Sequence, residues 1–252
     1  MAHFNGKRIL VTGSTRGIGN AVATRLLDEG ATVILHGRSL GAVRSAAGPL
    51  RQAYGSRVEG HPADLADREQ CRSLCRAAGD VDVLINCAGV LESRPLADTD
   101  AGHWQRVIDV NTTAPWILAR GLLSTLRSRR GLIVNVSSDA GLLGYAGHSA
   151  YCASKGALIG LTRALAVELA PDVRALCVCP GPVDTDMMRK AVAAEPEPET
   201  ARASWAKLTL LGRVAKPEEI AAAIVFAASP DCSFATGNLI SVDGGATAGR
   251  RV

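Results

Sequence analysis

Three side chains at close spacing carry the chemistry this chain could perform. Tyr151 and Lys155 are four apart, and Ser138 stands thirteen residues ahead of the tyrosine. Residues 151–170 repeat apolar positions at helical spacing, are rich in Ala, Leu and Glu, and are closed by Pro171, which predicts a helix. Tyr151 and Lys155 then share one face near its start. An ammonium beside a phenol favours the phenolate and lowers a pKa that is otherwise about 10. Such a tyrosine can give or take a proton near neutral pH. Ser138 follows the apolar, β-branched run Leu132–Val136, which reads as a buried strand, so it is delivered from a strand end and could hydrogen-bond the same substrate oxygen. A surface tyrosine and lysine with a serine pair in a turn has the same spacing. Taken alone, Tyr-x-x-x-Lys fits that simpler reading better.

A second constellation lies near the start. Gly13, Gly17 and Gly19 follow a predicted strand, Arg8–Val11, and open a predicted helix, Gly17–Asp28. That is where backbone approaches a pyrophosphate and helix N–H groups face it, so the context favours a dinucleotide site over a plain tight turn. The second predicted strand, residues 32–35, is followed by His36, Gly37 and Arg38, with no carboxylate. An acid there would bind the ribose hydroxyls of NAD and repel a 2′-phosphate. Gly37 stands in that place, Arg38 follows, and Arg16 lies within the glycine loop. Two guanidiniums near one ribose suit a phosphate, which predicts NADPH as the preferred cofactor. Solvated arginines are the alternative.

The elements that must hold these groups alternate along the chain. Strands are expected at 8–11, 32–35, 57–60, 81–85, 132–136, 173–178 and 238–242. Helices are expected at 17–28, 40–54, 68–78, 104–126 (with Pro115 kinking it), 151–170 and 217–228. This rhythm means parallel βαβ units: an α/β, doubly wound parallel sheet, a three-layer α/β/α Rossmann fold in a single domain over residues 1–252. There is no internal repeat and no domain-scale linker. Residues 186–211 interrupt the rhythm, and their acidic, proline-spaced run 195–199 reads as a mobile, solvated segment. A plain surface insertion and a lid over the substrate both fit that length.

The match of these motifs, nearly end to end, resembles the short-chain dehydrogenase/reductase family, closest to its 3-oxoacyl-acyl-carrier-protein reductase-like members. Thr12 to Gly19 is similar to the family's Thr-Gly-x-x-x-Gly-x-Gly loop, and Tyr151, Lys155 and Ser138 to its catalytic set. Asn86-Cys-Ala-Gly89 is similar to its Asn-Asn-Ala-Gly, with Cys87 in place of the second Asn. Asn111 matches the asparagine of its proton relay, and Pro180-Gly181 the Pro-Gly after the sixth strand. The resemblance implies cofactor contacts from Gly13, Ser14, Thr15, Arg16, Gly17, Ile18 and Gly19 in the loop. It implies others from Arg38, from Asp64 and Leu65 at the adenine, and from Asn86, Ala88 and Gly89 along the ribose. Tyr151, Lys155, Pro180, Gly181, Val183 and Thr185 complete the set. It implies catalytic roles for Asn111, Ser138, Tyr151 and Lys155, with 186–211 as the lid. For Asp64 a turn or helix N-cap is an equally good physical reading. Asn111 is equally readable as a buried polar brace.

The implied activity is hydride transfer between NADPH and a ketone or 3-oxoacyl-type carbonyl, with Tyr151 as proton donor. An NAD-dependent alcohol or sugar dehydrogenase of the same family is the enzymatic alternative, and a nucleotide-binding scaffold without chemistry the other. His148, Asp139 and Tyr145 are ambiguous substrate contacts. Leu142, Leu143, Leu210 and Leu211 suggest an apolar pocket wall, and Trp104 and Trp116 read as packing residues. The family also implies a homotetramer, with which the small and apolar positions Ala157, Gly160, Leu161, Ala164 and Leu165 agree.

Composition narrows the setting. The 252 residues include 47% hydrophobic and 21% charged residues, as expected for a globular α/β domain with a well-buried core. A formal charge of +4, with arginines scattered and no aromatic interleaving, argues against nucleic acid or a membrane surface as partner. A small-molecule carbonyl or alcohol is the expected partner. Residues 1–10 lack the apolar core of a signal peptide, and 220–228 is too short an apolar run to span a bilayer. Seven cysteines, an odd number with Cys177 and Cys179 on an apolar strand, read as reduced buried thiols, hence a cytoplasmic setting. The five histidines are dispersed, and no metal site is expected.

Overall fold

In a computed structural model, residues 3–193 and 197–249 are described. Seven strands form one sheet in the order β3-β2-β1-β4-β5-β6-β7, every neighbouring pair parallel. The strands are β1 (Arg8–Val11), β2 (Thr32–Gly37), β3 (Val58–Pro62), β4 (Val83–Asn86), β5 (Leu132–Val136), β6 (Arg174–Pro180) and β7 (Leu239–Val242). The helices are α1 (Gly17–Asp28), α2 (Leu40–Tyr54), α3 (Arg68–Ala78), α4 (Ala101–Ile108), α5 (Ala114–Gly121), α6 (Leu123–Ser128), α7 (Ser149–Leu169), α8 (Asp186–Ala193), α9 (Pro198–Lys207) and α10 (Pro217–Ala228).

The central strands are apolar on both faces because helices cover both. Ile9, Val11, Val33, Leu35, Val134 and Val178 pack on one side with Leu26 of α1 and Ile224 of α10. Leu10, Ile34, Leu84 and Ile133 pack on the other with Leu74 of α3, Leu118 of α5 and Leu165 of α7. Alternate residues of one strand therefore enter different core layers, the expected outcome of a two-residue side-chain period in a covered sheet. Because the order reverses at β1 and β4, a crevice opens beyond the carboxyl ends of those strands.

Three expectations are corrected. The single kinked helix at 104–126 is instead α4, a π-helical turn Asp109–Thr113, α5 and α6. Pro115 lies in the first turn of α5, and having no N–H it cannot supply the usual bond to the carbonyl of residue 111. Within 186–211, where no helix or strand is predicted, the described residues form α8 and α9. Of the acidic run 195–199, residues 195 and 196 lie outside the described residues. Trp104 and Trp116 are 41% and 45% exposed, so they are not simply packed; the Arg120 guanidinium lies 5.6 Å from the Trp116 ring centre.

Candidate active site

The glycine loop is shaped by contacts that leave no room for side chains. A Cβ on Gly13 would lie 2.7 Å from the Ala88 Cα, and one on Gly19 would lie 2.5 Å from the Gly13 carbonyl oxygen. Gly13 and Gly17 have φ of 66° and 55°, in the left-handed region that favours glycine. Thr12 clamps the loop to the end of β4, its Oγ1 accepting from the N–H groups of Cys87 at 3.0 Å and Ala88 at 3.1 Å. Ser14 is fully buried: its Oγ donates to the Val11 carbonyl (2.8 Å) and accepts from the His36 N–H (2.9 Å). Its side chain thus ties strands together, and only its backbone can face a ligand.

His36 was no part of the expected site, yet it braces the loop. Its Nδ1 accepts from the Gly13 N–H at 3.1 Å, and its Nε2 lies 3.0 Å from the Ala63 carbonyl, which requires a proton on Nε2 and a neutral ring. Burial lowers its pKa to about 4, against the pull of the Ala63 carbonyl and Asp64. A buried polar residue at a strand end was the only available signal.

α1 begins at Gly17 with no side-chain cap from Arg16 and no acidic residue in its first turn. Its first N–H groups are thus left for an anion such as a pyrophosphate, and the cradle fits a dinucleotide. Arg38 is exposed at the end of β2 and has no ion-pair partner among the described residues. Arg16 differs: its Nε lies 3.5 Å from Asp186 at the start of α8. Gly37 does not open a space beside Arg38. It is buried, and a Cβ there would lie 2.5 Å from the Thr15 Cγ2.

Asp64 makes a turn, its Oδ1 accepting from the Ala66 N–H at 3.0 Å, while the cap of α3 is Asp67. Leu65 is 7% exposed and belongs to the core. Asn86 donates to the Asn135 Oδ1 (2.8 Å), and Asn135 to the Thr162 Oγ1 (2.9 Å), joining β4, β5 and α7. Burial pushes the Cys87 thiol up to about 12, so it stays neutral beside Lys155.

Ser138, Tyr151 and Lys155 line one cavity of about 310 Å³, together with Ile18, Gly89, Pro180, Gly181, Val183 and Thr185 from the expected cofactor side. Lys155 is 4% exposed and its Nζ donates to the Val136 carbonyl at 2.9 Å. A Cβ at Gly89 would lie 3.4 Å from both the Lys155 Nζ and the Asn111 Oδ1, in contact with each. Burial brings the lysine pKa down to about 8. Lys155 Nζ is 5.6 Å from the Tyr151 ring centre.

The expected depression of the tyrosine pKa is overturned. Burial raises it, a hydrogen bond with Ser138 works against the rise, and Asp139 and Cys152 add to it. Desolvation disfavours the phenolate more than the hydrogen bond with Ser138 favours it. The phenol therefore stays protonated, the form that donates.

Asn111 is fully buried on the π-helical turn. Its Oδ1 accepts from the Val90 N–H (2.9 Å), and its Nδ2 donates to the Val90 carbonyl and the Ser154 hydroxyl, both at 3.0 Å. Both of its amide protons are committed, so the side chain is a brace between the end of β4 and α7. Any relay through this residue falls to its carbonyl, which Pro115 leaves without its usual donor.

Asp139, Tyr145 and His148, the three ambiguous residues, also line the cavity. Its apolar wall is Leu91, Met187, Met188, Trp205 and Leu208, not Leu142, Leu143, Leu210 and Leu211, none of which lines it. Leu211 is 68% exposed. The resemblance pointed to 186–211 as a lid but not to which of its residues, Met187, Met188, Trp205 and Leu208, would wall the cavity, and Leu91, in the loop after β4, carried no signal.

Comparison with known proteins agrees with this geometry. A family model described as Enoyl-(Acyl carrier protein) reductase matches residues 13–247. The 3-oxoacyl-acyl-carrier-protein reductase FabG of Chlamydia muridarum is 35% identical over 245 residues, which is 95% of this chain and 96% of that protein. The chain belongs to the short-chain dehydrogenase/reductase family. Another relative in this family, the meso-2,3-butanediol dehydrogenase of Serratia marcescens, is 36% identical over 97% of this chain and 96% of its own. A solved Beutenbergia cavernae protein, described as an NAD(P)-dependent gluconate 5-dehydrogenase with bound NADP at low occupancy, superposes with a TM-score of 0.92. It is 34% identical, covering 98% of this chain and 99% of the other. This short-chain dehydrogenase/reductase is thus an oxidoreductase of a family that uses nicotinamide cofactors. No described helix is long and apolar enough to cross a membrane.

Proposed function

We propose that the protein reduces a ketone or 3-oxoacyl-type carbonyl with NADPH. The observation that carries this reading is the convergence of Ser138, Tyr151 and Lys155 on one cavity that Ile18 of the glycine loop and Gly89, Pro180, Gly181, Val183 and Thr185 also line. When bound, the dinucleotide supplies the hydride. Tyr151 holds a proton on its phenolic oxygen and gives it to the oxygen that becomes an alkoxide. Ser138 orients that oxygen by hydrogen bonding when its proton, which otherwise points to Asp139, is turned toward it. Lys155, positive below about pH 8, favours negative charge beside the tyrosine once its proton has left. The Asn111 carbonyl is the candidate anchor for a water through which Lys155 exchanges protons with solvent. Met187, Trp205 and Leu208 exclude water from the substrate end, with residues 186–211 serving as the lid.

The 2′-phosphate preference rests on Arg38, which is free to bind, more than on Arg16, which Asp186 engages. A charge-assisted contact contributes about 1.5–3 kcal/mol, which is roughly a tenfold to hundredfold preference. Arg38→Ala should raise the KM for NADPH by that factor and hardly touch that for NADH. Gly37→Asp is not a clean cofactor exchange, because its Cβ would displace Thr15.

The deciding experiment follows NADPH and NADH oxidation over a carbonyl panel that includes acetoacetyl thioesters, diketones and sugar-acid ketones. NADPH-dependent turnover of at least one carbonyl is the expected result. Equal or better catalytic efficiency with NADH in the unmutated protein overturns the cofactor assignment, and no turnover with either overturns the enzyme reading. We further propose a homotetramer of cytoplasmic setting, its interface including the exposed face of α7.

A further inference from the structure

We infer that Asp139 is a positioning residue for this reaction: its carboxylate decides where the Ser138 hydroxyl proton points. The inference rests on the proposed function and extends it to a residue for which the family motifs assign nothing.

Ser138 has one proton. Its Oγ donates to the Asp139 Oδ1 at 2.8 Å and accepts from the Ala140 N–H at 3.2 Å. The second carboxylate oxygen, Oδ2, accepts from the Tyr145 hydroxyl at 2.8 Å. Asp139 is 6% exposed and lines the same cavity as Tyr151. An ionised carboxylate can only accept. While Asp139 is charged, the one proton of Ser138 is committed to it, and the substrate oxygen has Tyr151 as its protein donor. A protonated Asp139 can instead donate to the Ser138 Oγ. The serine proton is then released toward the substrate oxygen, adding a second donor where negative charge develops.

The groups facing Asp139 come from three directions. Tyr145 follows it in the same loop, Tyr151 and Cys152 face it from α7, and Asp243 lies just after β7. The His148 ring lies edge-on to both tyrosines, at 6.2 Å from Tyr145 and 6.5 Å from Tyr151. Lys155 stands behind Tyr151. Burial raises the Asp139 pKa above the ordinary carboxylate value. Hydrogen bonds from Tyr145, Ser138 and Ala140 work against that rise, and the Asp243 charge adds to it.

Reduction should therefore be faster with Asp139 neutral and should slow as pH rises through its ionisation. Asp139→Asn imitates the neutral acid: its carbonyl accepts from Tyr145 and its amide donates to Ser138. Tyr145→Phe removes a donor that favours the charged carboxylate, so it should move the transition to higher pH.

The test is the pH profile of kcat for the best carbonyl found, measured with saturating NADPH on the wild type and both variants. Removing an oxyanion donor outright costs about a hundredfold or more; redirecting one should matter less. Asp139→Asn is expected to abolish the acid-side transition and to raise kcat above it by about three- to tenfold, with the KM for NADPH unchanged. An Asp139→Asn protein that keeps the wild-type transition, or turns over more slowly at every pH, overturns the inference and leaves the proposed function standing. So does a Tyr145→Phe profile that has not moved, which carries the test should Asp139→Asn fail to fold. A wild type inactive across the panel overturns both.

Discussion

At the scale of single residues, burial sets the chemistry more than spacing does. Tyr151 and Lys155 are where the helical repeat puts them, yet the lysine directs one N–H at the Val136 carbonyl and burial keeps the phenol neutral. Tyr151→Phe deletes the proposed proton donor. Turnover should fall about a hundredfold or more with cofactor affinity nearly unchanged, as single-turnover kinetics and a cofactor titration would measure. His36 gives a prediction on stability. Its pKa is about 4 folded against 6.5 for the free side chain, so between those values the unfolded chain binds more protons. Stability should therefore be complete above about pH 6.5 and lost as pH falls toward 4. At 1.36 kcal/mol per pH unit, the loss is on the order of 3 kcal/mol. Urea melts across this window should show it, and His36→Asn should flatten that part of the profile while weakening the hold on the Gly13 N–H.

At the scale of elements, the β1–α1 turn is the part with least tolerance. A Cβ on Gly13 would meet the Ala88 backbone just after β4, and one on Gly19 the backbone of Gly13, so at both the obstacle is backbone and not a movable side chain. Gly19→Ala sets a methyl 2.5 Å from the Gly13 carbonyl oxygen. The variant should be about 1–3 kcal/mol less stable and should bind the dinucleotide more weakly, measured by thermal melts with and without NADPH. α8 and α9 behave differently. They complete the cavity with Met187, Met188, Trp205 and Leu208, and the Arg16–Asp186 pair links α8 to the cofactor loop. That pair is largely solvated, so it contributes little to stability.

At the scale of the whole molecule, the outer face of α7 is the surface that the proposed tetramer would use. Ala157, Gly160 and Ala164 are exposed there with Val167, which is 83% exposed, whereas Leu165 is buried in the chain's own core and Leu161 is half-buried against it. Only part of the small and apolar set read from the sequence is thus available to a partner. Ala164→Arg should leave the monomer folded and lower the mass seen by light scattering at micromolar concentration. A wild-type protein that already runs as a monomer would overturn the tetramer.

The sequence by itself determined the layered α/β architecture, with the bounds of α1, α2, α3, α10, β1 and β5 as predicted and the Tyr151–Lys155 pair on one helix face. Apolar periodicity, capping and glycine placement are imposed by a segment's own sterics, so they are written in the order of its residues. Tertiary structure alone decided which leucines and tryptophans wall the cavity, that Asp186 holds Arg16, that Thr15 fills the space beside Gly37, and that Lys155 and Asp139 depart from their ordinary pKa values. Desolvation and close contact depend on atoms brought together from distant parts of the chain, and no local pattern records them.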